Sequence, residues 1–225
     1  MALASATWRP PVHQALEGSF GPTARAGPPP VTIETRKAEL RKMLRQRRAA
    51  HHESLGVGGR RDAASAMAQH AVTQIAFRKS GCIAGYFPIR SEINPMALMS
   101  MLSERGHALA LPVVVEPGLP LVFRRYQPGG IILPGAFGVL APAPENPAVI
   151  PDALLVPMIG FDRRGHRLGQ GAGYYDRSLA AHRPPCVIGI AFAIQEVDEV
   201  PADERDQSMD AIVTEAGIIR CGSFS

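Results

Sequence analysis

The chain has 225 residues, of which 46% are hydrophobic and 20% are charged, and its formal net charge is +4. This length suits one domain with a substantial core. A membrane-spanning helix needs about 20 consecutive apolar residues, and no stretch of the sequence is that long. Cys82, Cys186 and Cys221 form neither a CxxC pair nor a zinc-ligand pattern, which predicts reduced thiols and a cytoplasmic protein. The mild positive charge fits an anionic ligand such as a nucleotide and also fits weak RNA binding.

The N-terminal third begins with a segment of unusual composition. Residues 1–31 are rich in Pro, Gly and Ala, and they predict a flexible extension ahead of a single α/β domain at 32–225. A basic helix is predicted from Ile33 through the segment "ETRKAELRKMLRQRRAAH". Its predicted apolar stripe consists of Leu40, Met43 and Leu44.

The rest of the chain alternates between strand and helix patterns. "LGVGG" at 55–59 interrupts the first helix, and an Ala-rich helix is predicted from about residue 61 to residue 77. The strand at 121–126 is predicted to lie at a sheet edge. This alternation favours an α/β fold with a mostly parallel central sheet flanked by helices. Further strands are predicted at 82–89, 107–115, 153–162, 185–193 and 210–215, and further helices at 94–106 and 174–181.

The segment "RLGQGAGYYDRSL" carries glycine at three alternate positions between an apolar strand and a helix. Glycines let backbone N–H groups approach an anion, and the following helix start adds further free N–H groups. Arg167 lies beside this loop, and the Asp176 carboxylate suits Mg²⁺ next to a phosphate. The spacing is neither a Walker A loop nor a dinucleotide fingerprint. By itself it leaves two alternatives, a phosphate-binding loop and a Gly-rich turn with core tyrosines.

A longer stretch, "LLVPMIGFDRRGHRLGQGAGYYDRSL", resembles the signature segment of the 5-formyltetrahydrofolate cyclo-ligase family. Three other segments resemble that family in the same order: "RKAELRKMLRQRR", "IAGYFPIRSEINP" and "VPADERDQSMDAIVTE". The resemblance covers about residues 34 to 220. It implies an ATP- and Mg²⁺-dependent enzyme whose fold is similar to the ribose-5-phosphate isomerase and CoA-transferase group. The implied reaction converts 5-formyltetrahydrofolate to 5,10-methenyltetrahydrofolate and releases ADP and phosphate.

The resemblance also implies site residues, motif by motif. Lys37 and Arg41 match ATP-contacting positions one helical turn apart, and Arg167 is the third cation with a catalytic role. The other basic residues of that helix, Lys42, Arg45, Arg47 and Arg48, are interpreted as a solvated surface. The implied ATP-binding stretch is Arg167, Leu168, Gly169, Gln170, Gly171, Ala172, Gly173, Tyr174 and Tyr175. The implied folate contacts are Phe87, Glu92, Gln170, Gly171, Ala172, Gly173 and Tyr174.

Two aspartates match the magnesium ligands of the family. Asp176 follows the glycine segment, and Asp206 lies in the C-terminal motif, where Asp210 is a rival four residues on. Gln170 and Ala172 stand where some members have Arg and Lys, so more of the anion binding is expected from backbone N–H groups, Arg167, Arg177 and the basic helix. Arg205 stands where many members have His.

The expected partners are ATP and 5-formyltetrahydrofolate, with or without a polyglutamate tail, bound by a monomer or small homo-oligomer away from any membrane. The route implied by the family phosphorylates the formyl oxygen and closes the ring through N10. No Ser-His-Asp or Cys-His arrangement was found, and His166 is the one histidine near the glycine loop. Two alternatives stay open: a related enzyme of the same fold acting on another small substrate, and an RNA- or anion-binding module using the basic helix. The absence of an aromatic-plus-basic RNA motif disfavours the latter.

Overall fold

A computed structural model of the chain describes residues 32–78 and 81–222, apart from the side chain of residue 137. The predicted extension at 1–31 lies outside these residues. The helices are α1 (Ile33–Ser54), α2 (Gly56–Gln74), α3 (Met96–Glu104) and α4 (Tyr174–Ala181). The strands are β1 (Cys82–Ala84), β2 (Ala108–Val113), β3 (Val122–Tyr126), β4 (Ile132–Pro134), β5 (Leu140–Pro142), β6 (Ala148–Val149), β7 (Ala153–Pro157), β8 (Gly160–Phe161), β9 (Arg167–Leu168), β10 (Cys186–Ile190), β11 (Ala211–Thr214) and β12 (Gly217–Arg220).

Eight strands form the central sheet in the order β12-β11-β10-β7-β1-β2-β3-β6. The five inner strands, from β11 to β2, pair in parallel, and β12, β3 and β6 add antiparallel pairs at the two sides. The prediction of a mostly parallel sheet in an α/β fold is therefore confirmed. Two short hairpins, β4–β5 and β8–β9, lie outside this sheet.

Alternate residues of the inner strands enter two different cores. Ile83 and Leu155 pack with α2 and α3 on one face of the sheet. Ala84 and Val156, their chain neighbours, pack with Leu179 of α4 on the opposite face. Because successive strand residues point to opposite faces, continuous apolar runs such as "ALLVP" belong to strands buried on both sides.

α1 packs on a third, smaller core near the β8–β9 hairpin. Leu44 is fully buried against Ile159 and Leu168, and Leu40 lies at the edge of this cluster. Met43, which was predicted in the same stripe, is 41% exposed, so that part of the prediction is wrong. No helix among residues 32–78 and 81–222 is long and apolar enough to cross a membrane.

Several predicted boundaries differ from the observed ones. The break between the first two helices is confined to Leu55, and α2 begins at Gly56, which adopts a left-handed φ of 57°. The strand predicted at 153–162 is divided into β7 and β8. The strand at 121–126 is not an edge strand, because the short β6 in the Pro-rich crossing pairs with β3. β12 and the β4–β5 hairpin were not predicted, since their apolar runs are short.

Candidate active site

A cavity of about 910 Å³ lies where β1, β2 and β7 end. The carboxyl ends of parallel strands are the usual ligand-binding edge of an open α/β sheet, and this volume is typical of small-molecule sites. Every candidate residue taken from the motifs lines this cavity, although the motifs are far apart in sequence. They are Lys37, Arg41, Phe87, Glu92, Arg167, Leu168, Gly169, Gln170, Gly171, Ala172, Gly173, Tyr174, Tyr175, Asp176 and Asp206.

The glycine segment lines the cavity, and its backbone N–H groups are available as hydrogen-bond donors. The N–H groups of residues 169–173 donate no hydrogen bond to any residue that the structure describes. Gly171 has a φ of 107°, a conformation that other residues rarely adopt. A Cβ on Gly169 would lie 2.7 Å from Nη1 of Arg167, so glycine also permits that guanidinium to lie against the backbone. The segment therefore has the open N–H groups of an anion-binding loop.

Helix α1 holds this segment from the other side. Arg41 Nε donates to the carbonyl oxygen of Gly169 (3.0 Å), and Arg45 Nη2 donates to the carbonyl oxygen of Gln170 (3.0 Å). The carbonyl oxygens of Gly169 and Gln170 are thus bound to guanidinium groups, while the N–H groups of the segment keep no partner among the described residues. Arg45 also donates to the side-chain oxygen of Gln170 at 3.2 Å. The side chain of Arg45 is exposed, as predicted for a solvated residue, and it also contacts the glycine segment.

Lys37 and Arg167 both pair with carboxylates in the cavity wall, and Lys37 Nζ also lies 3.5 Å from Oδ2 of Asp203. Lys37 Nζ is 2.5 Å from Oδ2 of Asp206, and Arg167 Nη2 is 2.7 Å from Oδ1 of Asp176. Lys37 and Arg167 are both buried, with exposed fractions of 9% and 6%. Nε of Arg167 is buried without a hydrogen-bond partner among the described residues. A buried donor of this kind costs free energy unless a ligand or water accepts from it.

The two carboxylates belong to one electrostatic site. Burial and the neighbouring Arg45 lower the pKa of Arg41, and the charges of Asp206 and Asp176 both oppose that change. The backbone N–H of Gln207 donates to Oδ1 of Asp176 (3.2 Å), so the C-terminal motif is joined directly to α4. Folding therefore brings these motifs into contact, although they are far apart in the sequence.

Asp206 and its rival Asp210 are in different surroundings. Asp206 lines the cavity, and its Oδ2 also accepts from the backbone N–H of Asp203 at 2.7 Å. Asp210 does not line it. Asp210 accepts hydrogen bonds from Arg183 and from the backbone N–H of Val187, both at 2.6 Å, at the start of β10. This placement favours Asp206 as the functional residue and gives Asp210 a structural role.

The carboxylates suit Mg²⁺ that also binds a phosphate. The second oxygen of Asp176 and that of Asp206 accept no hydrogen bond within residues 32–78 and 81–222. No group of three or more His, Cys, Asp or Glu side chains in that part of the chain forms a complete metal site. Mg²⁺ commonly uses one or two protein carboxylates and takes its other ligands from phosphate and water, so the donors present fit it.

Glu92 is buried in the segment that follows β1. The residue is 6% exposed; Oε2 accepts from the backbone N–H of Ile89 (3.1 Å) and Oε1 accepts from Nε2 of Gln170 (3.2 Å). Arg48 Nη1 lies 3.7 Å from Oε1. Burial raises the pKa of Glu92, and these hydrogen bonds and the charge of Arg48 offset only part of that rise. The residue is a buried acceptor aimed at the same cavity as the glycine segment.

Aromatic side chains surround Glu92. Phe87 is half-buried and lies edge-to-face with Tyr126, with ring centroids 5.8 Å apart, while it also lines the cavity. It therefore packs in the core and can contact a ligand. Tyr86 donates to the carbonyl oxygen of Ile93 (3.1 Å) and is buried. Burial, followed by the charge of Glu92, raises the pKa of Tyr175, whose ring faces the Arg167 guanidinium at 5.7 Å.

Arg48 and Asp162 are buried residues that the sequence interpretation missed. Arg48 was assigned to the solvated face of the first helix, and that assignment is wrong because its exposed fraction is 2%. Asp162 is fully buried and accepts from Arg164, His166 and the backbone N–H of Val200. Asp162 thereby organises the turn of the β8–β9 hairpin. His166 is engaged there and is not among the cavity residues.

The model of the 5-formyltetrahydrofolate cyclo-ligase family matches residues 33–215 of this chain. The chain belongs to this family. The cyclo-ligase of Mycolicibacterium smegmatis is 36% identical over 141 residues, which are 59% of this chain and 72% of that protein. The cyclo-ligase of Haemophilus influenzae is 33% identical over 152 residues, covering 64% of this chain and 81% of that protein.

The chain is also similar to solved structures of 5,10-methenyltetrahydrofolate synthetases. The NMR structure of 5,10-methenyltetrahydrofolate synthetase from Aquifex aeolicus has a TM-score of 0.68 and 31% identity, covering 82% of this chain and 92% of that one. The synthetase from Mycoplasma pneumoniae has a TM-score of 0.61 and 26% identity, covering 80% and 98%. The predictions of a cyclo-ligase-family enzyme and of its α/β fold are confirmed. The likeness to the ribose-5-phosphate isomerase and CoA-transferase group stays a prediction.

Proposed function

We propose that this protein converts 5-formyltetrahydrofolate to 5,10-methenyltetrahydrofolate in a reaction that consumes ATP and requires Mg²⁺. The observation that carries the proposal is the convergence of four separate motifs on one cavity. That cavity combines open backbone N–H groups, buried cations, two carboxylates and the acceptor Glu92. Family membership supports the folate substrate, and the chemistry of the donors supports the nucleotide and the metal.

The chemistry needs activation of the formyl oxygen, because that oxygen would otherwise have to leave as hydroxide. Attack of the formyl oxygen on the γ-phosphorus releases ADP and produces an N5-iminium phosphate. N10 then attacks the formyl carbon, phosphate departs with the oxygen, and N10 loses its proton as the ring closes. No protein nucleophile is needed, so the enzyme acts through positioning and neutralisation of charge.

The cations and the glycine segment are proposed to bind the nucleotide. Lys37, Arg41 and Arg167 line the cavity and would neutralise the phosphates, and the N–H groups of residues 169–173 would donate hydrogen bonds to the phosphate oxygens. Asp176 and Asp206 would hold Mg²⁺ between them and the phosphates. When bound, this ion neutralises charge that develops during phosphoryl transfer.

The folate ring is proposed to bind beside Glu92. The pterin presents an amino group and ring N–H donors side by side, and a carboxylate accepts such a pair well. Phe87, Gln170 and the glycine segment line the same cavity, and Phe87 would contact the ring.

The RNA-binding alternative is disfavoured by the positions of the basic side chains. Arg48 is buried, and Arg41 and Arg45 donate to carbonyl oxygens of the glycine segment, so fewer cations of this helix are free for a nucleic-acid backbone. The other alternative, a related enzyme that acts on another small substrate, is tested by the same assay as the main proposal.

The decisive experiment incubates the purified full-length protein with 5-formyltetrahydrofolate, Mg²⁺ and ATP, and follows the methenyl product by absorbance. We expect product only when all three are present. ADP should form in equal amount. Absence of ATP-dependent product would overturn the proposal, and product formation independent of Mg²⁺ would remove the metal from it.

A further inference from the structure

A buried arginine lies directly behind the proposed folate carboxylate. Arg48, in the second half of α1, is 2% exposed. Its Nε donates to Oγ of Ser91 and its Nη1 donates to the carbonyl oxygen of Met158, both at 3.2 Å. Nη1 also lies 3.7 Å from Oε1 of Glu92. A buried guanidinium is tolerated only with partners of this kind, so its position is tightly determined.

We propose that Arg48 is a positioning residue that holds Glu92 as a charged acceptor directed into the cavity. The consequence for the folate rests on the proposed function, whereas the effect of Arg48 on Glu92 does not. Arg48 ends the motif "RKAELRKMLRQRR", but the resemblance implied no role for it, and it was interpreted as part of a solvated surface.

The geometry leaves Glu92 free to bind a ligand. Arg48 is anchored by Ser91 and Met158, so it supplies positive charge at 3.7 Å without a hydrogen bond to the carboxylate. Ile89 occupies Oε2, and the neutral Gln170 amide occupies Oε1. A carboxylate has about four lone-pair directions, so further N–H donors can still be accepted.

Other ionisable groups face Glu92 from each neighbouring element. Tyr86 follows β1 and Tyr175 belongs to α4; burial raises the pKa of both phenols, so both are neutral near pH 7. Arg90, in the same loop as Glu92, is exposed, and water therefore screens its charge. Arg48 is buried, so its charge acts at short range with little screening.

Removal of Arg48 should therefore raise the pKa of Glu92 further, because burial already favours the neutral acid. The test uses the full-length protein labelled with ¹³C at glutamate carboxyls, and Glu92→Gln identifies the resonance. We expect the titration midpoint of Glu92 to rise by about one pH unit or more in Arg48→Met, and to stay close to wild type in Arg48→Lys. Lys42→Met, which removes a charge from an exposed position of the same helix, is the matched control and should leave it unchanged.

An unchanged midpoint in a folded Arg48→Met protein would overturn the inference. Circular dichroism and thermal unfolding establish whether that variant folds. If it does not, Ser91→Ala replaces it, because this change removes one anchor of Arg48 without leaving a buried charge unpaired. A Ser91→Ala midpoint equal to that of wild type would then contradict the proposal.

Kinetics separate this inference from the proposed function. An inactive wild-type enzyme would contradict the function, while the NMR titration would still test Arg48. With active enzyme, Arg48→Met should raise the KM for 5-formyltetrahydrofolate several-fold at pH values where Glu92 has become neutral, and leave the KM for ATP unchanged. The folate KM should fall again as pH rises through the new midpoint. If the KM values for both substrates increased equally and independently of pH, Arg48 would have a merely structural role, and the inference would be overturned.

Discussion

Lys37 Nζ lies 2.5 Å from Oδ2 of Asp206, so a cation proposed to bind phosphate is paired with a carboxylate proposed to bind metal. Arg167 and Asp176 form a second pair of the same kind, with 2.7 Å between Nη2 and Oδ1. Each pair joins distant motifs and keeps buried charges compensated.

Lys37→Met should lower kcat/KM for ATP by about 100-fold or more, since a cation next to the transferred phosphate is removed. Lys42→Met makes the same chemical change at an exposed position of α1 and should have activity close to wild type. Initial rates at varied ATP concentration measure both. Equal rates in Lys37→Met and wild type would remove Lys37 from the site.

Asp206→Asn and Asp210→Asn should affect different properties. Asp206→Asn is expected to increase the Mg²⁺ concentration needed for half-maximal activity, because a carboxylate ligand is replaced by a neutral amide. Asp210→Asn should instead lower the free energy of unfolding by about 1–3 kcal/mol, since it weakens the contacts with Arg183 and Val187. Magnesium titrations and urea unfolding of both variants distinguish the two roles. The opposite pattern would show that Asp210 is the metal ligand.

Gln170→Ala should increase the KM for 5-formyltetrahydrofolate several-fold. The side chain of Gln170 donates to Glu92 and accepts from Arg45, so it joins the glycine segment to both the proposed folate site and α1. Lost ordering of the loop should weaken ATP binding to a smaller degree. KM values for the two substrates, measured separately, test this. An unchanged folate KM would show that the contact between Gln170 and Glu92 has no part in binding.

Asp162 should make the protein sensitive to acid. Burial raises the pKa of Asp162, but hydrogen bonds from Val200, Arg164 and His166 outweigh burial, and the net pKa is lowered. A carboxylate whose folded-state pKa is depressed contributes stability above its unfolded pKa of about 4 and loses it as pH falls through the folded value. We therefore expect Asp162→Asn to be less stable than wild type at pH 7, with a smaller loss of stability on acidification.

Urea unfolding between pH 7 and pH 3 measures this difference. Asp198→Asn, which changes an exposed aspartate, is the control and should follow the wild-type profile. The same pH dependence in wild type and Asp162→Asn would contradict the assignment.

Local patterns in the sequence were sufficient to predict much of the fold and the candidate residues of the site. Apolar runs of strand length predicted the inner strands, helical spacing predicted α1 and α4, and four ordered motifs supplied every candidate residue that lines the cavity. These features depend on neighbours a few residues apart, so they can be read without the fold. The same patterns placed Met43 in the core and Arg48 at the surface, and both placements were wrong.

Only the tertiary structure decided the contacts between distant residues. The partners of Arg48 lie 43 and 110 residues away at Ser91 and Met158, and those of Lys37 lie in the C-terminal motif. Asp206 and Asp210 have the same side chain four positions apart, yet the path of the chain before β11 takes one to the cavity and the other to β10. Burial and charge pairing are properties of the packed chain, and no local sequence pattern contains them.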